Sequence, residues 1–209
     1  MIAISGLEPA MLKVCDDLSL RYVKLGEGPP LVLLHTIRTQ LEYFRDLAPL
    51  LADKFTVYAF DLPGHGHSPI NPAAPLDEPY MRSGIVGFLK TLDLRDVTLV
   101  GESICAVFAL TAAAEVPDRI RAVYAFNTYD YETRFGDGIR RGNWFANAII
   151  GSLQVPVFGP IGGALENHFV LGTIMGGGFA DPRKLPPDLL TEFDTVARRR
   201  HCKRIARKV

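Results

Sequence analysis

The chain has 209 residues, of which 48% are hydrophobic and 22% are charged, a composition typical of a folded globular protein and not of a disordered one. Basic and acidic residues both number 23, so the formal net charge of zero gives no overall reason to expect nucleic acid or an anionic membrane as a partner. Three widely spaced cysteines and no apolar run approaching ~18 residues predict neither a disulfide framework, nor a metal site, nor a membrane span.

The N-terminal segment MIAISGLEPAMLKV (1–14) lacks the basic leader of a signal peptide, so we expect a cytoplasmic protein. Two weakly alternating stretches follow, LKVCD (12–16) and LSLRYVKLG (18–26). They predict an antiparallel hairpin at the edge of a sheet.

Strand-like and helix-like stretches then alternate along the first half of the chain. Short apolar or β-branched runs predict buried strands at 31–36, 55–60, 97–100 and 121–126, and helical spacing predicts helices at 41–54, 80–92 and 104–116. This alternation is typical of an α/β fold, with a mostly parallel sheet and helices on both faces.

After about residue 128 the strand signals stop and glycine and proline become dense. We interpret residues 1–127 as the core, 128–200 as a mostly helical subdomain lying over the sheet, and 201–209 as a basic tail. Trp144 and Phe145 in the helical segment could line an apolar pocket or only pack within it. The tail could contact phosphates, but a solvated end is the preferred interpretation.

The stretch VTLVGESICA (97–106) predicts a strand, a tight turn at Ser103 and a helix. Such a turn presents the serine oxygen and directs backbone N–H groups of the helix toward a developing oxyanion. Small residues are needed at Gly101 and Cys105, because strand and helix approach closely there. Cys105 could be an alternative nucleophile, but packing against the neighbouring strand is favoured.

Two other predicted strands end in polar loops, one beginning at His35 and the other reading DLPGHGHS (61–68). The carboxyl ends of parallel strands share one edge of the sheet, where ligands bind in open α/β folds. DLPGHGHS and the GES turn at 101–103 resemble motifs of the α/β-hydrolase superfamily. The resemblance covers about residues 18–200 and implies a single-domain core with a helical cap.

The resemblance implies that Ser103 is the nucleophile and that the backbone N–H of Ile104 is one oxyanion donor. The second donor would be the N–H of Thr36 or Ile37, with Ile37 preferred. His35 is expected to brace this loop, not to act as the base.

The resemblance also implies an acid and a histidine that activate the serine. Asp130 is a candidate acid, since it follows the strand 121–126 closely, although a loop carboxylate is the simpler interpretation. None of the five histidines is singled out as the base: His65 and His67 belong to the 61–68 loop, His168 to the predicted cap and His201 to the tail.

Two functional hypotheses follow. The first is a serine hydrolase of the esterase or carbon–carbon bond hydrolase type that acts on a small apolar acyl compound through Ser103, with no cofactor. Serine at the turn disfavours the dehalogenase and epoxide hydrolase branches, which use aspartate there. The alternative is a truncated or non-catalytic member, with a core incomplete at its C-terminus and a homodimer covering an exposed sheet edge.

Overall fold

The computed structural model describes residues 4, 6–36, 39–128, 168–176 and 181–198. These residues belong to two compact units, the first ending at Thr128 and the second containing the described residues from His168 onward. Trp144, Phe145 and the tail 201–209 lie outside the described residues, so the proposed cap and tail remain predictions.

The first unit contains a six-stranded sheet. Its strands are β1 (Ala10–Cys15), β2 (Leu18–Leu25), β3 (Pro30–Leu34), β4 (Thr56–Phe60), β5 (Val97–Glu102) and β6 (Ile120–Phe126), in the order β1-β2-β4-β3-β5-β6. Strands β4, β3, β5 and β6 are parallel, while β2 is antiparallel to both β1 and β4. The predicted α/β fold with an antiparallel hairpin at one edge is therefore confirmed.

Helices cover both faces of this sheet. One face packs Leu31, Leu33 and Val57 against Leu41 and Phe44 from the segment that follows β3. On the other face lie α2 (Glu78–Thr91) and α3 (Ile104–Glu115), and the ring of Phe88 stacks on Phe60 with centroids 4.4 Å apart. Burial on both faces explains why the central strands read as continuous apolar runs.

The single helix predicted over 41–54 is wrong. The chain instead forms a 3-10 helix at Leu41–Phe44, a turn, and the short helix α1 (Leu47–Leu51). Pro49 accounts for the interruption: inside a continuous helix its ring would clash with the carbonyl of Arg45, whereas in the first turn of α1 its missing N–H is tolerated. Because a new helix begins at Leu47, Leu50 faces outward, and 75% of its surface is exposed.

The second unit contains α4 (His168–Gly176), a 3-10 helix at Pro182–Lys184 and α5 (Pro187–Ala197) among its described residues. Helix α5 buries Leu189, Phe193 and Val196, together with Glu192. Across the described ranges, every helix is too short or too polar to cross a bilayer.

Candidate active site

Ser103 lies in a strained turn between β5 and α3. Its backbone angles are φ 58° and ψ −128°, in a region that non-glycine residues rarely adopt. Its N–H donates to the Phe126 carbonyl at 3.0 Å, so the end of β6 holds the turn in place. This is the geometry required to present a serine hydroxyl at the carboxyl edge of the sheet.

Gly101 permits the close approach of β5 and α3. A Cβ added at this position would lie 2.4 Å from the carbonyl oxygen of Cys105, which is shorter than any normal contact. Every larger residue would push the helix away from the strand. The sequence therefore places glycine where the turn has no room for a side chain.

Cys105 points into the core and away from solvent. Its thiol is buried and donates to the His35 carbonyl at 2.7 Å, which connects α3 to the end of β3. Burial raises the pKa of this thiol far above its usual range, and the charge of Glu102 raises it further. Since only the thiolate is a good nucleophile, this environment favours packing and not attack.

Two elements could supply oxyanion donors near Ser103. Ile104 is the first residue of α3, and the first N–H groups of a helix have no acceptor one turn earlier. Thr36 begins a turn in which its carbonyl accepts both the N–H of Thr39, at 3.2 Å, and the Thr39 hydroxyl, at 2.7 Å. Ile37, the preferred second donor, lies outside the described residues.

His35 is a buried structural link between two loops. Its Nε2 accepts the Leu62 N–H at 3.0 Å, and its Nδ1 donates to the Thr36 carbonyl at 2.9 Å. Burial lowers the pKa of His35 to about 4, so the ring is neutral at neutral pH. Both ring nitrogens are engaged with the backbone and neither is directed at Ser103.

His65 lies beside His35, with ring centroids 5.6 Å apart. Its Nδ1 is 3.1 Å from the Pro63 carbonyl, and burial, followed by the neighbouring His35, lowers its pKa to about 4. His168, in the second unit, has a half-exposed side chain whose Nδ1 is 3.6 Å from the carboxylate of Asp194. Asp130 and His201 lie outside the described residues.

The 61–68 loop is organised around the buried carboxylate of Asp61. One oxygen accepts the Leu41 N–H at 2.8 Å, and the other accepts the His67 N–H at 2.8 Å. Gly66, with φ 50°, passes so close that an added Cβ would lie 2.2 Å from the Asp61 carboxyl carbon. The glycine pattern of DLPGHGHS thus lets the loop wrap around its own aspartate.

Arg21 and Glu42 complete this cluster, and sequence reasoning missed both. The Arg21 guanidinium pairs with Asp61 at 2.9 Å and with Glu42, and all three side chains are nearly inaccessible to solvent. Burial lowers the pKa of Arg21, but its bonds to the two carboxylates outweigh that effect and raise it overall. The available signal was an arginine between the apolar residues Leu20 and Tyr22 of the strand, because a charge buried there needs a partner.

Tyr43 and Glu102 form a second contact that the sequence did not reveal. The Tyr43 hydroxyl donates to the Glu102 carboxylate at 2.9 Å, and the Asn127 side-chain amide lies 3.5 Å from its other oxygen. Groups that follow β3 and β6 thus meet at the residue immediately before Ser103. The assembled site presents a serine, a helix N-terminus and a braced loop, which suits attack on an electrophilic carbonyl.

Comparison with known proteins identifies related folds. The sequence model of the family described as "alpha/beta hydrolase fold" matches residues 29–171. A haloalkane dehalogenase, DatA of Agrobacterium tumefaciens, superposes with a TM-score of 0.79 at 28% identity, over 96% of this chain and 66% of that one.

Two curated proteins match about half of this chain. A 2-(acetamidomethylene)succinate hydrolase from Mesorhizobium japonicum is 35% identical over 106 residues, which cover 51% of this chain and 38% of that protein. A pimeloyl-(acyl-carrier protein) methyl ester esterase from Stenotrophomonas maltophilia is 39% identical over 92 residues, covering 44% of this chain and 33% of that protein. The matched region therefore spans well under half of either relative.

Proposed function

Because the chain belongs to the α/β-hydrolase fold family, we propose that it is a serine hydrolase that cleaves a small, largely apolar acyl compound, most simply an ester, through Ser103. The observation that carries the proposal is the strained backbone of Ser103 at the N-terminus of α3. A backbone held in this conformation is a feature of functional sites, where the surrounding structure sustains the strain.

In the proposed reaction the Ser103 oxygen attacks the acyl carbonyl carbon, and the carbonyl oxygen gains negative charge as the tetrahedral intermediate forms. The Ile104 N–H and a donor of the 36–37 loop stabilise that charge, assisted by the N-terminal end of the α3 dipole. Collapse expels the alcohol and leaves an acyl-serine, which water then hydrolyses. A base must accept the serine proton in the first step.

The residue at position 103 favours ester chemistry over dehalogenation. One relative is named as a methyl ester esterase, whereas the dehalogenase DatA acts on carbon–halogen bonds. Displacement of a halide from a saturated carbon suits a carboxylate nucleophile, which is charged at neutral pH without a base. Serine at position 103 instead suits acyl transfer.

A fluorophosphonate probe tests the proposal, because it labels only activated serines. We expect the folded wild-type protein to be labelled at one residue, Ser103→Ala to abolish the labelling, and the same variant to lower ester hydrolysis by ~1,000-fold or more. Ser83→Ala is the matched control, since Ser83 is exposed on α2 and its hydroxyl donates only to the Tyr80 carbonyl. Folded wild-type protein that stays unlabelled, or labelling that persists in Ser103→Ala, would contradict the proposal.

A non-catalytic member of the family is the second candidate. It is favoured by the engagement of both His35 ring nitrogens with backbone groups, which leaves that imidazole unable to accept the serine proton. This candidate predicts that any ester hydrolysis rises tenfold per pH unit without a plateau, as expected for direct attack by hydroxide. A plateau that reports the pKa of a base would favour the enzyme.

A further inference from the structure

We propose that Tyr43 and Glu102 act as a positioning pair that holds the oxyanion side of the site at a set distance from the nucleophile. The inference rests on the proposed function and assigns to this contact a role in the same reaction. Neither side chain is hydrogen-bonded to the Ser103 hydroxyl, so the pair would act through the backbone that each residue belongs to.

Chain position gives each residue control over one half of the site. Glu102 is the last residue of β5 and directly precedes Ser103, so a shift of Glu102 moves the nucleophile. Tyr43 belongs to the 3-10 helix Leu41–Phe44, which directly follows the loop that contains Thr36. The 2.9 Å bond between their side chains therefore connects the two segments that must flank the acyl carbonyl.

The contact has the chemistry of a strong, persistent hydrogen bond. A hydroxyl that donates to a carboxylate makes a charge-assisted bond, roughly twice as strong as one between neutral groups. Burial, and then the bond to Glu102, raise the pKa of Tyr43 to about 12, so the phenol keeps its proton throughout the neutral range. The half-buried location reduces competition from water.

Glu102 also contacts the segment that follows β6. The Asn127 side-chain amide is 3.5 Å from the Glu102 carboxylate, and Asn127 directly follows Phe126, whose carbonyl accepts the Ser103 N–H at 3.0 Å. Glu102 is thus in contact with groups on both sides of the turn. Displacement of reacting groups by about 1 Å can lower a rate ~100-fold, so a link at this point affects the rate directly.

The test compares Tyr43→Phe, Glu102→Gln and the double variant with the wild type. Each enzyme is assayed for the second-order rate of fluorophosphonate labelling and for kcat and KM on a short-chain ester. We expect Tyr43→Phe to lower labelling and kcat by ~10-fold with KM nearly unchanged. Glu102→Gln should retain part of the rate, because an amide oxygen can still accept a hydrogen bond from the Tyr43 hydroxyl. The double variant should be no slower than Tyr43→Phe.

Tyr80→Phe is the control, since Tyr80 lies on α2 and its backbone N–H, not its hydroxyl, bonds to the Asp77 side chain. A Tyr43→Phe enzyme that labels at the wild-type rate would overturn the proposal, even if it were less stable. A second measurement, urea unfolding of the same four proteins, does not need activity. Non-additive losses of stability support the link, and additive losses overturn it.

This design separates the two proposals. Wild-type protein that resists labelling contradicts the serine hydrolase assignment but leaves the unfolding cycle to decide whether Tyr43 and Glu102 are coupled. Normal wild-type labelling with an unchanged Tyr43→Phe rate contradicts only the positioning pair.

Discussion

At the scale of single residues, His35 and His65 couple the folding of the site to pH. Burial lowers the pKa of both rings to about 4, with the neighbouring ring adding to the effect at His65 and Asp61 opposing it. In the unfolded chain both pKa values return to about 6.5. Below pH 6.5 the unfolded state therefore binds more protons than the folded state.

The contribution of these two histidines to the free energy of unfolding should be fully present above pH 6.5. It should fall as the pH drops toward 4. The expected slope is up to ~1.4 kcal/mol per pH unit for each histidine, measured by urea unfolding at pH 7, 6 and 5. His65→Gln should flatten the slope, because it removes one of the two buried imidazoles. Equal wild-type stability at pH 7 and 5 would count against this role for the histidine pair.

The residues predicted best from sequence are those whose role depends on neighbours in the chain. Ser103 and Gly101 belong to one turn, and their spacing predicted the tight strand–turn–helix geometry that the structure has. Cys105 was expected to pack against a neighbouring strand, but its specific partner, the His35 carbonyl, is 70 positions away in sequence and no local pattern encodes it. Arg21, Glu42 and Tyr43 were missed for the same reason, since their partners come from other elements.

At the scale of elements, strands were predicted more accurately than the helix after β3. A strand buried on both faces gives a continuous apolar run whatever its neighbours, whereas a helical pattern of leucines can be divided by one proline. Pro49 had that effect. The result also places Tyr43 on a separate 3-10 helix, where its hydroxyl contacts β5.

The ion cluster of Arg21, Glu42 and Asp61 joins β2 to the segments that follow β3 and β4. Arg21→Met would leave two carboxylates buried without their cation, so we expect a loss of ~3–5 kcal/mol in the free energy of unfolding. Arg21→Lys should give a smaller loss, because one pairing can persist. Urea denaturation at pH 7 measures both.

Arg121→Met is the matched control for this prediction. Arg121 is 3.5 Å from Asp96, and both side chains are mostly exposed, at 60% and 67%. Exposed pairs of this kind contribute at most ~1 kcal/mol, so the control should unfold close to the wild type. If Arg21→Met were as stable as Arg121→Met, the cluster would not organise these loops.

At the scale of the whole molecule, the motifs predicted the family and the parallel sheet, because three strand-end loops had to meet at one edge. The same reasoning did not yield the base. Whether a histidine acts as a base depends on its contacts with groups that are distant in the sequence. Both ring nitrogens of His35, for example, form hydrogen bonds with backbone groups instead. Substrate preference depends on side-chain arrangement and is equally hidden from local patterns.

The predicted homodimer also belongs to this scale. In the described sheet β6 is the last strand, with β5 as its neighbour, and it exposes 57% of Tyr124 and 54% of Phe126. Among the described residues β6 is an edge strand with two exposed rings, and such an edge favours pairing with another strand. We propose that two copies associate through β6, and sedimentation velocity should therefore show a dimer at high concentration.

Tyr124→Lys should shift that equilibrium to the monomer, because a charge at the edge opposes strand pairing. Leu50→Lys is the control: Leu50 is 75% exposed but lies on α1, so the same charge there should leave the dimer intact. A wild-type monomer at every concentration would contradict the proposal. Equal dissociation by both lysine variants would mean that general surface charge, and not the edge of β6, governs association.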